Sequence, residues 1–324
     1  MTVAAGLSPD ARRAYRRRRL RQDLRALPFL APWLLGLAIL FIYPLVATVY
    51  FSFTHYDQIN PPTFVGWANW TYILRENPLF WTALKNTMWL VAVMVPARTL
   101  VGLGLGLIVM RAKRGSGVLR TLLYLPYLAP PVAATLAFVF LLNPGTGPVN
   151  QALHALGINA PNWFGDPSTA KPALTLLAVW GVGDLMVIFM ASLLDVPREQ
   201  YEAASLDGAG PFAQFRYITL PTIKPIILFA LVTGVISTMQ YYTQAIVAGK
   251  VASGTSVGPG TTFDPGYPDG STLTVPQLIY SLGFQNFDTG AACVVAIILV
   301  VISMAFTMLL LRRGAGFLAA GDSP

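Results

Sequence analysis

Charge, cysteine and histidine are scarce in this sequence. Charged residues make up 11% of its 324 positions, against about a quarter in soluble domains. A single cysteine, Cys293, excludes a disulfide framework or a cysteine metal site within the chain. The two histidines, His55 and His154, stand apart, with no carboxylate or cysteine at metal-ligand spacing. Also missing is the G-x-x-x-x-G-K-[ST] run whose backbone amides cradle ATP phosphates. Its nearest approach, Gly249-Lys250, has Gln244 where the first glycine belongs. Nothing here resembles an enzyme's active site, so no catalytic residue, metal ligand or cofactor is assigned.

Apolar residues fill the space. They make up 55% of the chain, and the mean hydropathy is +0.58. Runs of about 18 or more apolar residues define an all-α integral membrane protein. Six transmembrane helices are predicted, near 29–52, 86–110, 121–142, 173–194, 225–248 and 290–311. Each window lets a helix rising about 1.5 Å per residue cross roughly 30 Å of hydrocarbon. A basic N-terminal segment, 1–27, precedes the membrane domain, 28–313, and a tail, 314–324, follows it.

The basic residues are distributed unevenly. With the N-terminus in the cytoplasm, eight Arg between Arg12 and Arg25 lie inside, as do Arg111, Lys113, Arg114, Arg120, Arg198, Arg216, Lys224, Arg312 and Arg313. Outside fall Arg75, Lys85, Lys171 and Lys250. This asymmetry sets both termini in the cytoplasm. The net charge of +8 therefore reports orientation, and no nucleic-acid partner is expected. RRAYRRRRLRQDLR is read as a topology anchor beside membrane lipid. The first apolar run is too long for a signal-peptide core and lacks a persuasive cleavage site, so it is expected to be retained.

Two charges fall inside the apolar windows, Arg98 in the second and Asp184 in the fourth. A charge near the bilayer centre costs at least about 2.5–3.5 kcal/mol on insertion scales, so each needs a partner or a wet cavity. A mutual ion pair that stabilises the bundle and a polar solute path are both open readings. WGVGDLM sets Asp184 beside Gly183 and other small residues, leaving room for a ligand. In the fifth window STMQYYTQ supplies Gln240, Tyr241, Tyr242 and Gln244. These suit stacking on, and hydrogen bonding to, a sugar-like solute; interhelical hydrogen bonding is the alternative. In VGLGLGL, Gly102 and Gly106 are read as a small-residue packing face rather than a dinucleotide site.

Between the fourth and fifth windows, residues 199–225 read EQYEAASLDGAGPFAQFRYITLPTIKP. The topology puts 195–224 in the cytoplasm. Pro197 suits a helix start, and Glu199 and Glu202 complement the dipole of its early turns. Asp207-Gly208-Ala209-Gly210-Pro211 breaks that helix, and FAQFRYI starts a second, expected to end near Leu220-Pro221. Two short helices about a glycine turn suit a cleft on another protein. A helix lying on lipid would need a Lys/Arg-rich polar face, which is missing.

EAASLDG, nine further residues, then ITLP resembles the EAA signature of permease subunits in binding-protein-dependent ABC importers of the carbohydrate-uptake type, such as maltose and glycerol-phosphate permeases. Its residues here are Glu202, Ala203, Ala204, Asp207, Gly208, Ala209, Ile218, Leu220 and Pro221. Phe64 to Thr87, LRTLLYLPYLAPPV and YSLGFQNFDTGAA extend the resemblance over most of the chain. It implies a type I ABC importer permease fold in a bacterial or archaeal cell membrane. It implies that loop 195–224 couples, through Glu202, Asp207 and Gly208, to a separate ATP-hydrolysing subunit present in two copies. A second permease subunit, an extracytoplasmic solute-binding protein and a carbohydrate cargo are implied alongside, with Asp184 and QYYTQ on the solute path.

Two features depart from the family. The external stretch from Val247 to Thr274 replaces a short glycine-rich turn, and reads equally as an altered docking surface or a flexible insert. The acid at Asp184 is not expected. Arg98 suits a phosphorylated cargo of the glycerol-phosphate kind, whereas the Tyr/Gln cluster favours a neutral sugar. A secondary transporter, marked by discontinuous helices, carboxylate relays or inverted repeats, is the competing class. An enzyme acting within the membrane ranks third.

Overall fold

The computed structural model describes residues 28–112, 115–254 and 265–319, with side chains as far as Gly314. The basic anchor therefore lies wholly outside the described residues, as do Lys113, Arg114 and positions 255–264 of the long stretch from Val247 to Thr274. The described chain is helical apart from loops and one two-residue antiparallel pairing, β1 (Thr54–His55) with β2 (Thr63–Phe64). Helices satisfy every backbone group within their own segment, as hydrocarbon surroundings demand.

The chain divides into two compact units, one ending at Phe51 and the other beginning at Ser52. The first holds α1 (Pro28–Phe51). Its π turn at Ala38–Ile42 falls where Pro44 has no N–H to offer the carbonyl of Leu40.

The axis of the second unit is α2 (Pro78–Arg111), whose start is capped by the Asn77 side chain accepting from the Leu79 N–H at 3.0 Å. Then follow α3 (Ser116–Leu128), α4 (Pro131–Leu141), the short external α5 (Pro148–Ala155), α6 (Pro167–Trp180) and α7 (Gly183–Leu194). A pair of shorter helices follows, α8 (Arg198–Leu206) and α9 (Pro211–Thr222), and α10 (Lys224–Met239) leads on to α11 (Thr243–Ala252). The chain ends with α12 (Val275–Tyr280) and α13 (Thr289–Ala319).

Three helices, α1, α2 and α13, are each long and apolar enough to cross alone. The windows 121–142 and 173–194, expected as single helices, are instead bent pairs: α3 meets α4 at 98° and α6 meets α7 at 49°. Pro126, Pro130 and Pro131 forbid a straight helix through LPYLAPP, and Gly181-Val182 separates α6 from α7. The window 225–248 is also divided, because α10 stops at Met239 and α11 starts at Thr243. The carbonyl of Tyr241 freed by that break accepts from Thr274 Oγ1 at 2.9 Å. At 16 residues, α10 covers only about 24 Å at about 1.5 Å per residue. The second cytoplasmic helix runs past its expected end through a π turn at Phe215–Thr219 to Thr222, and then bends by 64° into α10. Pro221 fits because its missing N–H falls in the first turn after the π turn, where none is needed.

Gly102 and Gly106 are the groove into which α7 settles on α2. A Cβ on Gly102 would sit 2.8 Å from that of Leu185, and one on Gly106 3.3 Å from the Met190 nitrogen. Leu103, Leu185, Phe189, Leu193, Ile223 and Ala230 complete an inner core there. On the opposite side Leu90, Met94, Leu174, Tyr241 and Ala245 build an outer core. The described part of the external stretch is held down: buried Asn86 donates to the carbonyls of Gly270 (2.8 Å) and Leu273 (3.1 Å) and accepts from Lys171 Nζ at 2.9 Å.

Candidate functional site

The three helix breaks meet at one cavity of about 400 Å³, lying between the two cores. Its volume falls within the roughly 300–1,000 Å³ of small-molecule sites. The α3–α4 break contributes Tyr127 and Pro131, the α6–α7 break Trp180 and Gly181, and the α10–α11 break Gln240 and Tyr241. From α2 come Met94 and Arg98, and from α11 comes Gln244. The aromatic rings offer apolar faces, and the two amides and the guanidinium offer hydrogen bonds.

Arg98 is the charged residue on this wall. Its Nη2 reaches both carboxylate oxygens of Asp184, at 3.3 and 3.4 Å, and this is the one ion pair among the described residues. The two side chains are 20% and 27% exposed. Asp184 stands in the first turn of α7, where the helix dipole favours a carboxylate. One nitrogen at these distances is a loose engagement beside the two-bond guanidinium fork, whose contacts run at about 2.7–2.9 Å. The Arg98 Nε is buried without a partner. So the pair forms, and Arg98 also lines the cavity, while Asp184 stands off the wall.

The remaining solute-path candidates divide. Gln240, Tyr241 and Gln244 line the cavity. The Tyr241 side chain is buried and its hydroxyl has no partner. Tyr242 turns away, its ring 5.5 Å from that of Tyr280 in a cluster with Ile246, Val247 and Tyr267. Gly183 is a packing glycine, for its Cβ would lie 2.8 Å from the Leu123 carbonyl and the Tyr124 Cα. Gly181, two residues earlier, is the glycine on the wall. Sequence reading missed Tyr127 and Trp180, although each sits beside a proline or glycine break in an apolar run.

The module formed by α8 and α9 is built on a Schellman turn. The Ala209 N–H donates to the Ala204 carbonyl at 2.8 Å and the Gly208 N–H to that of Ser205 at 3.1 Å, with Gly208 at φ +79°. Gln214 Nε2 clamps the turn by donating to the Ala209 carbonyl at 3.0 Å and to Ser205 Oγ at 2.9 Å. Tyr201 and Thr219 join the two helices through a hydroxyl contact of 2.8 Å. Tyr201, Phe215 and Ile218 pack on the inner core, while Ala204, Ala209, Leu220 and Pro221 are half-buried. Glu202, Ala203, Asp207 and Gly208 are exposed. Beside them Leu206, Phe212 and Tyr217 are 90%, 78% and 73% exposed. Large apolar groups held out on a rigid module mark an interaction face.

Residues 98–315 match the family described as binding-protein-dependent transport system inner membrane component. The chain is 31% identical to the sulfoquinovosyl glycerol transport system permease protein SmoG of Agrobacterium fabrum, over 90% of this chain and 91% of that protein. It is 31% identical to the diacetylchitobiose uptake system permease protein NgcF of Streptomyces coelicolor, over 91% and 84% of the two chains. It is 30% identical to the trehalose/maltose transport system permease protein MalF of Thermococcus litoralis, over 87% and 91%. A solved bacterial ABC transporter involved in import of the acidic polysaccharide alginate shares the fold, with a TM-score of 0.72 at 20% identity over 92% of this chain and 97% of that one.

Proposed function

We propose, from the premise that this chain belongs to the family of binding-protein-dependent transport system inner membrane components, that it is a non-catalytic permease subunit of an ATP-driven importer for a sugar or related polyol. The observation that carries the reading is the joining, in one chain, of a cavity among the apolar helices to an exposed helical module by two helices. α7 has Asp184 in its first turn, beside the cavity, and Leu193 near its other end, packed with Tyr201, Phe215 and Ile218. α10 begins at the bend after α9 and ends against Gln240 on the cavity wall.

In this reading the face carrying Glu202, Asp207, Leu206 and Phe212 docks on an ATP-hydrolysing subunit, and its movement re-aims the cavity through α7 and α10. A complete importer then holds two ATPase copies, a second permease and an extracytoplasmic binding protein, with both termini of this chain in the cytoplasm. The cargo class rests on the relatives, whose names specify sulfoquinovosyl glycerol, diacetylchitobiose and trehalose/maltose transport. Stacking rings and amides around the cavity are chemistry that a saccharide can use.

The helix breaks favour a second reading, an ATP-independent transporter, because discontinuous helices mark that class. Affinity purification of the tagged chain in mild detergent separates the two. Recovery of a P-loop ATPase with a second permease supports the importer. Recovery of the chain alone supports the secondary transporter.

A further inference from the structure

Two buried donors at the cavity lack acceptors. Arg98 Nε–H and the Tyr241 hydroxyl are both fully covered and unpartnered, and Tyr241 is 8% exposed. Leaving such a group unpaired costs about 1–3 kcal/mol, more where charge is involved. The wall shows the cation of the Arg98–Asp184 pair and no carboxylate.

The helix breaks add to this imbalance. α4 begins on the wall at Pro131, which has no N–H, while α7 and α11 begin beside it, at Gly183 and Thr243, and the first N–H groups of a helix have no partner within it. The carbonyls of the incoming segments are already occupied, those of Pro126, Leu177 and Thr238 accepting from Ala129, Gly181 and Tyr241. The wall thus carries a cation and no carboxylate, beside the neutral Ser237, Thr238, Gln240 and Gln244, which both donate and accept.

We propose that the cavity takes an acidic saccharide whose oxyanion accepts from Arg98 and Tyr241, the sugar ring lying against Trp180 and Tyr127. The inference rests on the sugar-importer reading and narrows its cargo. Asp184 keeps its single-nitrogen hold on one edge of the guanidinium, and a shift of the Arg98 side chain as the ligand enters brings the covered Nε onto the oxyanion. A neutral sugar would leave the Arg98 Nε–H facing weaker hydroxyl acceptors. Carboxylate, sulfate and phosphate share the required chemistry.

The test is a tryptophan-fluorescence titration of the detergent-solubilised chain, with the subunits that co-purify, using glucuronate, glucose 6-sulfate, glucose 6-phosphate and glucose. A Trp180→Phe protein identifies the cavity signal. At least one acidic sugar is expected to reach half-saturation at a concentration at least tenfold below glucose, and comparison of the three identifies the preferred oxyanion. Arg98→Gln should remove that advantage, bringing the acidic-sugar midpoints level with that of glucose in the same variant, and Tyr241→Phe should weaken the acidic sugar by severalfold. If Arg98→Gln does not fold, Arg98→Lys decides, since a point charge without the planar fork should lose most of the preference. Equal midpoints for glucose and all three acids would overturn the proposal, as would silence toward all four sugars or an unchanged preference in Arg98→Gln. Absence of an ATPase from the preparation would instead remove the importer reading, and the titration would still read out the cavity.

Discussion

Substitutions at Gly208 isolate the backbone geometry of the α8–α9 turn from its packing. A Cβ placed there would meet no heavy atom within 4 Å, so bulk inside the chain is not at issue. The penalty is conformational: at φ +79° an ordinary L-residue loses about 1–2 kcal/mol. That energy lowers the population holding the turn by about 5- to 30-fold if the module alone bears the cost. The two bonds that define the turn, Ala209 to Ala204 and Gly208 to Ser205, survive only while Gly208 stays left-handed. Asn tolerates this region best, Ala less well, and β-branched Val least. ATP-driven uptake by the reconstituted complex is therefore expected to fall in the order Gly, Asn, Ala, Val. The amount of monodisperse chain recovered by size exclusion should stay level across the series. Full uptake with Gly208→Val would refute the argument. Equal damage from Gly208→Asn and Gly208→Val would also refute it, since bulk on the docking face would then matter and backbone handedness would not.

Three further outcomes follow from the packing and the loops. Gly102→Val forces a Cβ to within 2.8 Å of that of Leu185 and should cost about 1–3 kcal/mol. It should lower the thermal-aggregation midpoint by several degrees, whereas Gly104→Val, with open space around it, should not; equal midpoints would disprove the groove. Asn86→Ala strips the carbonyls of Gly270 and Leu273 and the Lys171 ammonium of their shared partner, at about 1–3 kcal/mol for each group left unpaired. Limited proteolysis within 265–274 should accelerate, and an unchanged cleavage rate would show that the loop is anchored elsewhere. Asp57 accepts from the N–H groups of Asn60 and Ile59 and from the Asn60 amide, and these bonds, that from the Asn60 N–H foremost, hold its carboxyl down from 3.8 to about 2. A depressed carboxylate favours the native turn above its ordinary value and loses that contribution as the proton returns. The turn at 57–60 should therefore persist below pH 3.8 and open towards pH 2; a ¹³C carboxyl titration midpoint near 3.8 would refute this.

The apolar windows, the Gly102/Gly106 face and the turn at Gly208 were legible because each depends on local chain chemistry. Window length measures a hydrocarbon thickness, glycines four apart share a helix face, and EAASLDGA places glycine where a helix end needs a left-handed residue. The breaks were less legible, because proline and glycine also occur in continuous membrane helices. At Gln240 to Tyr242 what permits the break is distant in sequence: Thr274, 33 residues on, donates to the Tyr241 carbonyl. Once the helix stops there, the 3.6-residue period no longer relates neighbouring side chains. Tyr241 joins the cavity while Tyr242 packs on Tyr280. The same reasoning separates Gly181 from Gly183. Two glycines on either side of Val182 read alike, but one lies at the open side of the break and the other against the backbone of α3.

In the proposed importer, the breaks let the cavity and the turn at Gly208 act on each other. A continuous helix through the cavity would turn all its N–H groups inward to its own carbonyls and present only side chains to a solute. Stopping α10 at Met239 and restarting at Thr243 frees backbone at mid-depth, where the alternative partners are protein groups or solute. It also uncouples the outer half from the inner half. α11 remains in the outer core through Ala245 and Ala248, while α10 stays with α7 and the module through Ile223 and Ala230. In the proposed importer, a displacement of α8 and α9 would reach Gln240 at one lip of the cavity without moving Gln244 at the other by the same amount. Gly181-Val182 does the same for the fourth span, since α6 belongs to the outer core and α7 to the inner one. The cavity sits where these two hinges face each other, with Arg98 on the unbroken α2 between them. A rigid helix carrying the charged group, flanked by two divided ones, can change the cavity's shape while its principal hydrogen-bond donor stays in place.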